Sequence, residues 1–235
     1  MEISISWNVT AVSFSVSSLL SAFIAWKAFG VWRKQAVNPA SLAFFQVILY
    51  LFLYVLLRAG ASVLFVNDPS VLAAAYVFSH VFLGLAASYI VKFSMISFFK
   101  EETARRFFYL TLLLFSLDIG LNLLYPNSPE FHAETGIIDW GTHHFVAIFH
   151  TALLWGSFLT AAALFLYKGI RYSNDPTLRF RSLLIASSLF AAILIVIPRN
   201  IVESPAMIFV SDIGFILAFS LVFFGVSFKP RESGT

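Results

Sequence analysis

The chain contains no cysteine and few charged residues. The absence of cysteine among 235 residues excludes disulfides, thiolate metal sites and cysteine nucleophiles. Asp, Glu, Lys and Arg together make up 11% of the sequence, whereas 60% of it is hydrophobic. A soluble domain of this length could not hide that much apolar surface in one core. The composition therefore predicts an integral membrane protein.

Seven apolar runs are long enough to cross a bilayer, because roughly 20 helical residues at about 1.5 Å each span its hydrocarbon core. No A-x-A-like cleavage site follows the first run, so it is expected to be a retained span rather than a signal peptide. We predict an all-α bundle of seven transmembrane helices, with residues 1–235 forming one membrane domain. The predicted spans are residues 10–31, 41–65, 71–97, 107–125, 142–167, 180–198 and 205–227.

The charges of the connecting loops predict the orientation of the bundle, since Lys and Arg are retained on the cytoplasmic side during insertion. Thirteen of the fifteen basic residues fall at the same ends of the predicted spans, and the acidic loops fall at the opposite ends. The N-terminus is expected outside and the C-terminus in the cytoplasm, in a cytoplasmic or plasma membrane. Topology and anionic headgroups account for the basic clusters, so no nucleic-acid partner is predicted.

Polar residues inside the spans are costly in lipid and are expected to face the protein interior. Arg58, His80, Asp118, His150 and Asp212 lie on five different spans, all about 9–14 Å from the external ends at 1.5 Å per residue. This shared depth predicts one site. One turn away on the same spans, Tyr54 precedes Arg58 and Asn122 follows Asp118, and both are candidates for the same site.

The residue types favour a noncatalytic pocket, open to the outside, that binds, senses or transports a small amphiphile or lipid. Arg58 would neutralise an anionic group of this ligand, while Asp118 and Asp212 set the charge of the cavity. His80 or His150 would make binding sensitive to pH, given an ordinary pKa of about 6.5. A purely structural network that fixes helix register is the simplest alternative.

A second alternative is a metal site, because His80, His150, Asp118 and Asp212 offer the nitrogen and oxygen ligands that zinc accepts. Such a site would make the chain a zinc-dependent membrane hydrolase. Axial ligation of haem by His80 and His150 is a further possibility. The chain has no H-x-x-x-H or H-E-x-x-H motif, so we predict no metal and no cofactor.

One more pattern runs from Pro198 to Glu203 and is followed nine residues later by Asp212. With the polar residues of the earlier spans, it resembles the seven-span lipid-translocating exporter family of the fungal sphingoid-base resistance type. The resemblance covers nearly the whole chain and implies export of, or response to, amphiphilic lipids. Two departures from the family's pattern are visible. An amide side chain is expected at the position of His150, and the glycine and glutamate expected near Arg58 and before Asp212 are missing from this sequence. The counterparts of the family's polar residues would be Arg58, Asp118, His150, Arg199, Glu203 and Asp212.

Three other seven-span families fit less well. Ile216 stands where a microbial rhodopsin would carry its retinal lysine, and the last span has no histidine for a ceramidase-type or adiponectin-receptor-type hydrolase. Input modules of bacterial sensor kinases share the length and the short loops, and a stand-alone sensor of that kind would need a signalling partner. A structural subunit of a membrane complex is another alternative. The expected partners are membrane lipid, a small amphiphile and, as options, a second copy or a signalling protein.

Overall fold

The computed structural model describes residues 7–35, 38–96, 98–171, 175–201 and 204–227. It confirms the seven-helix bundle, and each helix is long and apolar enough to cross a membrane, so the chain is an integral, multi-pass membrane protein. The helices are α1 (Val9–Lys34), α2 (Pro39–Leu64), α3 (Pro69–Ile96), α4 (Glu101–Leu124), α5 (His144–Arg171), α6 (Pro176–Ile201) and α7 (Pro205–Ser227).

The helix starts follow from the sequence at the span boundaries. Asn38 and Asp68 each precede a proline that occupies the first turn of the next helix, and their side-chain oxygens accept hydrogen bonds from the free backbone N–H groups of that turn. Asp175 caps α6 in the same way. Helix α4 begins at Glu101, six residues before the predicted span, because a charged turn stabilised by an exposed Glu102–Arg106 ion pair extends it beyond the apolar run.

Six helices form a closed ring in the order α1, α2, α3, α5, α6, α7, each packed on the next and α7 packed on α1. Helix α4 lies outside this ring against α3 and α5. It buries four residues, of which Phe115, Asp118 and Asn122 share one face. Many of its apolar side chains are exposed, as expected for a helix that faces lipid, including Leu110, Leu113, Leu117, Leu123 and Leu124.

A two-stranded antiparallel hairpin between α4 and α5 covers one end of the ring. It consists of β1 (Glu130–His132) and β2 (Ile137–Asp139), with Gly136 in the turn at φ 66°. The backbone N–H of Val9 donates to the carbonyl of Gly136 at 2.8 Å, which attaches the hairpin to the start of α1. The fully buried Ile138 seals the junction. We call this the hairpin end of the bundle, and the opposite end, which carries Arg33, Lys34, Lys168, Arg171 and Arg179, the basic end.

Candidate functional site

A long cavity runs inside the ring between α2, α3, α5, α6 and α7. Its volume is about 130 Å³, counted as the space open to the centres of water molecules, whereas one water requires roughly 10–15 Å³ on that measure. It extends along α2 from Phe44 to Arg58, fourteen residues or about 21 Å. The wall toward the basic end is almost entirely apolar. Most of the polar lining gathers at the hairpin end, namely Tyr54, Arg58, Tyr76, His80, Asp139, Trp140, Thr142 and His150. Ser188 on α6 also lines the cavity, and its hydroxyl donates to the carbonyl of Ala218 at 2.9 Å.

Arg58 is the cation at the polar end of the cavity and is 2% exposed. Its Nε donates to Ser79 Oγ at 2.8 Å. The guanidinium lies 3.9 Å from the ring centre of Trp140 and 4.3 Å from that of Tyr76, so two aromatic faces stabilise the charge. Tyr54, one turn earlier on α2, also lines the cavity. The apolar surroundings strengthen any charge-assisted hydrogen bond that the guanidinium makes to a bound group.

His80 stacks on Tyr76, with the ring centres 4.1 Å apart. Its Nδ1 lies 2.8 Å from the backbone carbonyl oxygen of Tyr76 and 3.4 Å from Nη2 of Arg58. The shorter contact requires a donor on Nδ1, so we assign the proton of the neutral ring to Nδ1.

His150 has a carboxylate partner. Its Nδ1 lies 2.7 Å from Asp118 Oδ2, and both side chains are buried. Asp118 reaches His150 from α4, outside the ring, and only His150 of this pair lines the cavity. The carboxylate fixes the ring orientation and favours a proton on Nδ1, which directs Nε2 away from Asp118. The two imidazole rings of His80 and His150 lie 4.5 Å apart between their centres.

The structure thus brings Arg58, His80, His150 and Asp118 into one chain of contacts. Within this chain of contacts, Asp118 pairs with His150. Asn122 donates to the carbonyl of Asp118 at 2.9 Å and does not line the cavity. Asp212 is fully buried on α7, where its carbonyl accepts a hydrogen bond from Ser13, and it too lies outside the cavity wall.

Two residues named by the family resemblance lie beyond what the structure describes. Arg199 belongs to the last turn of α6, but its side chain is outside the described part, and Glu203 is outside the described residues altogether. Their proposed roles stay predictions.

Trp140, which sequence reasoning did not assign to the site, covers the cavity at the hairpin end. Its sequence position predicts an anchor at the membrane interface, and that prediction is wrong because the side chain is 4% exposed. The carbonyl of Trp140 accepts a hydrogen bond from Asn127 at 3.1 Å, and Gly141 follows at φ 54°, with the Ser128 carbonyl where a Cβ would be. The loop thus fixes the indole over Arg58. Its Nε1 has no hydrogen-bond acceptor among the described residues.

The sequence analysis also did not predict Ser79 and Thr142 as residues of the site. Thr142 Oγ and the Tyr76 hydroxyl are 2.8 Å apart, and because one shared hydrogen bond uses one of their two hydroxyl hydrogens, the other remains available in the cavity. A loop residue with no helical periodicity gives no signal of this contact. Tyr76 does lie one turn before His80, and that spacing could have indicated it.

The metal alternatives do not match this geometry. Within the described ranges, no three His, Asp or Glu side chains are grouped as metal ligands. Asp118 binds the Nδ1 of His150, so the four suggested zinc ligands His80, His150, Asp118 and Asp212 do not converge on one point. The two imidazoles contact each other edge to face at an angle of 66°, which leaves no room for a porphyrin plane between them.

No protein-family model, curated protein or solved structure matches this chain. The geometry of the cavity is therefore the basis for a functional assignment. It defines an elongated and mainly apolar space with hydrogen-bond donors and the aromatic-flanked guanidinium of Arg58 at one end.

Proposed function

We propose that the protein binds a small amphiphile with an anionic headgroup, as a transporter or sensor of that molecule. The ligand's chain would lie in the apolar part of the cavity and its head against Arg58. The observation that supports this assignment most strongly is the shape and polarity of the cavity. A mainly apolar cavity about 21 Å long fits a hydrocarbon chain and its head, and the clustering of donors at a single end fits a single headgroup.

The hydrogen-bonding capacity of the polar end favours an anion over a cation. Arg58 contributes a positive charge, Trp140 an indole N–H for which the described part of the chain offers no acceptor, and the Tyr76–Thr142 pair one hydroxyl hydrogen. Among the described residues, Asp139 is the one carboxylate of the cavity wall, and one of its oxygens accepts a hydrogen bond from the backbone of Gly141 at 2.9 Å. A sulfonate, carboxylate or phosphate oxygen would satisfy the remaining donors.

The direction of the cavity follows from the charge of the loops. With the basic end in the cytoplasm, the head would lie near the outer leaflet and the chain would extend toward the inner one. The hairpin covers the polar end, so a ligand from outside would enter after the hairpin moves, or from the bilayer between helices. The resemblance to lipid-translocating exporters supports an amphiphilic ligand, and it gives no information on the charge of the head.

The proposal is tested with three ten-carbon probes that differ in the head: decane-1-sulfonate, 1-decanol and decyltrimethylammonium. Binding of radiolabelled decanesulfonate to protein in dodecyl maltoside is measured by scintillation proximity, with the other two as competitors. We expect decanesulfonate to bind at a saturable site at which the other two compete at least tenfold more weakly, since a charge-assisted hydrogen bond contributes about 1.5–3 kcal/mol.

The variants Arg58→Gln and Arg58→Lys identify the residue responsible. Arg58→Gln should weaken sulfonate binding by roughly tenfold or more, and Arg58→Lys by less, because it keeps the charge but loses the fork of donors. Arg106→Gln is the matched control, since Arg106 is exposed on α4 near the basic end. Equal binding of the three probes, or unchanged binding in folded Arg58→Gln, would contradict the proposal.

A further inference from the structure

Within the described part of the chain, the cavity stops short of the basic end of the bundle. Its lining covers fourteen residues, or about 21 Å, on each of three helices. These segments run from Phe44 to Arg58 on α2, from Tyr76 to Ile90 on α3 and from Ile208 to Val222 on α7. A common length on three helices indicates a compartment of defined depth.

Three phenylalanines from three helices lie where the cavity stops. The hydrogen bond between Arg58 and Ser79 aligns α2 with α3, and Phe44 and Phe93 both lie fourteen residues from it toward the basic end. The ring centres of Phe44 and Phe93 are 5.3 Å apart, and those of Phe93 and Phe165 are 5.4 Å apart. All three side chains pack in the core of the bundle. We call Phe44, Phe93 and Phe165 the aromatic floor.

Helices α6 and α7 are in contact at the level of the aromatic floor. The rings of Tyr54 and Phe215 lie 6.5 Å apart, which aligns α2 with α7, and ten residues further toward the basic end lie Phe44 and Gly225. A Cβ on Gly225 would lie 3.4 Å from Cβ of Leu184 on α6. The small residue lets the two helices meet here, so close helix packing backs the floor on this side of the ring.

The distance from head to floor determines the length of chain that fits. A head against Arg58 and the ring of Phe44 each take up a contact distance of about 3.5–4 Å, which leaves about 13–14 Å of the cavity for the chain. An extended chain advances about 1.3 Å per carbon, because its C–C bonds are about 1.5 Å long. The space between head and floor therefore accommodates about ten or eleven carbons.

The cavity volume leads to a similar length. At roughly 10–15 Å³ per water, the volume of about 130 Å³ holds about nine to thirteen water-sized groups. A methylene group is about as large as a water molecule, and the head takes the space of a few of these groups. One chain of about ten carbons fills the cavity, and the two chains of a membrane phospholipid do not fit.

From this geometry we propose that the aromatic floor restricts the ligand to a single chain no longer than about twelve carbons. The ligand class is then a medium-chain anionic amphiphile rather than a membrane phospholipid or a long-chain lipid. This inference rests on the proposed function. Phe44 determines the chain length, because it lines the cavity, while Phe93 and Phe165 support its ring from behind.

The chain-length profile is measured with alkane-1-sulfonates of six to sixteen carbons that compete against radiolabelled decane-1-sulfonate. In the wild type, affinity should rise about fourfold per methylene up to ten or twelve carbons, and tetradecane- and hexadecane-1-sulfonate should gain nothing further. Longer sulfonates partition more strongly into detergent, so partitioning into dodecyl maltoside micelles is measured for each probe. Each variant is compared with wild type at one chain length, where this partitioning cancels.

Two substitutions move the floor in opposite directions. Phe44→Ala should lower it, so that tetradecane-1-sulfonate binds at least tenfold more tightly than to wild type, while octane-1-sulfonate changes by less than about twofold. Val47 lines the cavity about one turn closer to the head, and Val47→Phe should weaken dodecane-1-sulfonate at least tenfold while hexane-1-sulfonate still binds. Phe78→Ala is the matched control, since Phe78 is 65% exposed on α3, and it should leave the profile unchanged.

The outcomes separate the two proposals. If wild-type protein does not bind decanesulfonate, the proposed function fails and the chain-length limit fails with it. If it binds, but its corrected affinity keeps rising to hexadecane-1-sulfonate, or both folded variants match wild type at every length, the function stands and the floor does not limit the chain. Equal loss of octane- and tetradecane-1-sulfonate in Phe44→Ala would also overturn the assignment, because Phe44 would then support the head site.

Discussion

At the residue scale, a substitution of Trp140 distinguishes the contribution of its side chain to ligand binding from its contribution to stability. Its buried Nε1–H has no acceptor among the described residues, so Trp140→Phe removes a donor that makes no hydrogen bond within that part of the chain, while it keeps an aromatic face over Arg58. We expect decanesulfonate affinity to fall by roughly tenfold or more, because a hydrogen bond to an ionised group is lost. The free energy of unfolding should change by less than about 1 kcal/mol.

Equilibrium binding and thermal unfolding in detergent measure the two effects. Trp26→Phe is the control, since Trp26 is 71% exposed on α1 and distant from the cavity. Unchanged affinity in Trp140→Phe would show that the indole N–H does not contact the head.

Much of the polar cluster was predictable because charge inside a membrane is rare and therefore informative. Arg58, His80, Asp118 and His150 stand out by type, and counting residues from the span ends places them at a shared depth. Which of them touch was not predictable, because depth along a helix says nothing about its rotation or its neighbours. The pairing of Asp118 with His150 rather than with Arg58 depends on α4 lying outside the ring.

At the element scale, Gly84 determines how closely α4 approaches α3. A Cβ at this position would lie 2.8 Å from Cβ of Phe115, an atom next to the α4 backbone that cannot rotate away. Gly84→Ala should therefore lower the free energy of unfolding by about 1–3 kcal/mol despite the better helix propensity of alanine. Thermal unfolding in detergent should show a melting temperature several degrees lower.

Gly120→Ala is the matched substitution on α4, where an added Cβ meets nothing within 4 Å. It should be neutral or stabilising by up to about 1 kcal/mol. If both variants had the same melting temperature, close packing at Gly84 would not hold α4 in place.

Asp68 caps the start of α3, and the charge of this cap makes the stability of the protein depend on pH. Its side chain accepts hydrogen bonds from the Ser70 hydroxyl and from the backbone N–H groups of Val71 and Ser70, and these bonds lower the pKa of Asp68 below its ordinary value. The ionised Asp68 side chain therefore stabilises the folded state. This contribution is fully present at pH values above the ordinary pKa of about 3.9 and is lost as pH falls through the lowered pKa. Asp68→Ala should reduce the melting temperature at pH 7, and the difference from wild type should shrink on acidification to pH 3.

The hairpin is the element that the sequence did not reveal. Its strands have three residues each and stand in a loop whose prolines and acidic residues indicate irregular structure. Gly136, between Glu130–His132 and Ile137–Asp139, is a turn signal. Two such short strands are stable only because they are hydrogen-bonded to the start of α1: the backbone N–H of Val9 donates to the carbonyl of Gly136, and the backbone N–H of Ile138 donates to the hydroxyl of Thr10. Tertiary contacts of this kind leave no periodicity in the sequence.

At the scale of the whole molecule, composition alone predicts seven helices and leaves their arrangement open. Apolar length determines that a helix spans, whereas the packing order depends on small residues and polar contacts between specific helices. The amphiphile hypothesis came from polar residues at one depth. The structure adds the apolar cavity, which links that depth to the opposite half of the bundle and so defines a space for a chain as well as for a head.

The apolar half of the cavity gives the prediction that tests the molecule as a whole. Ala86 lines the cavity on α3, about two turns from His80 toward the basic end, so Ala86→Leu should obstruct the chain and leave the head site intact. We expect decanesulfonate affinity to fall by roughly tenfold, consistent with about 0.8 kcal/mol for each methylene displaced. Butane-1-sulfonate, whose chain ends before this level, should bind both proteins equally.

Ala74→Leu is the control on the same helix, because Ala74 is exposed on the lipid-facing surface. Competition of each sulfonate against radiolabelled decanesulfonate measures the affinities. A loss for both chain lengths would mean that Ala86→Leu distorts the head site, and a loss for neither would place the chain outside the cavity. Only a loss confined to the longer chain agrees with a ligand whose head lies at Arg58 and whose chain follows α3 toward the basic end.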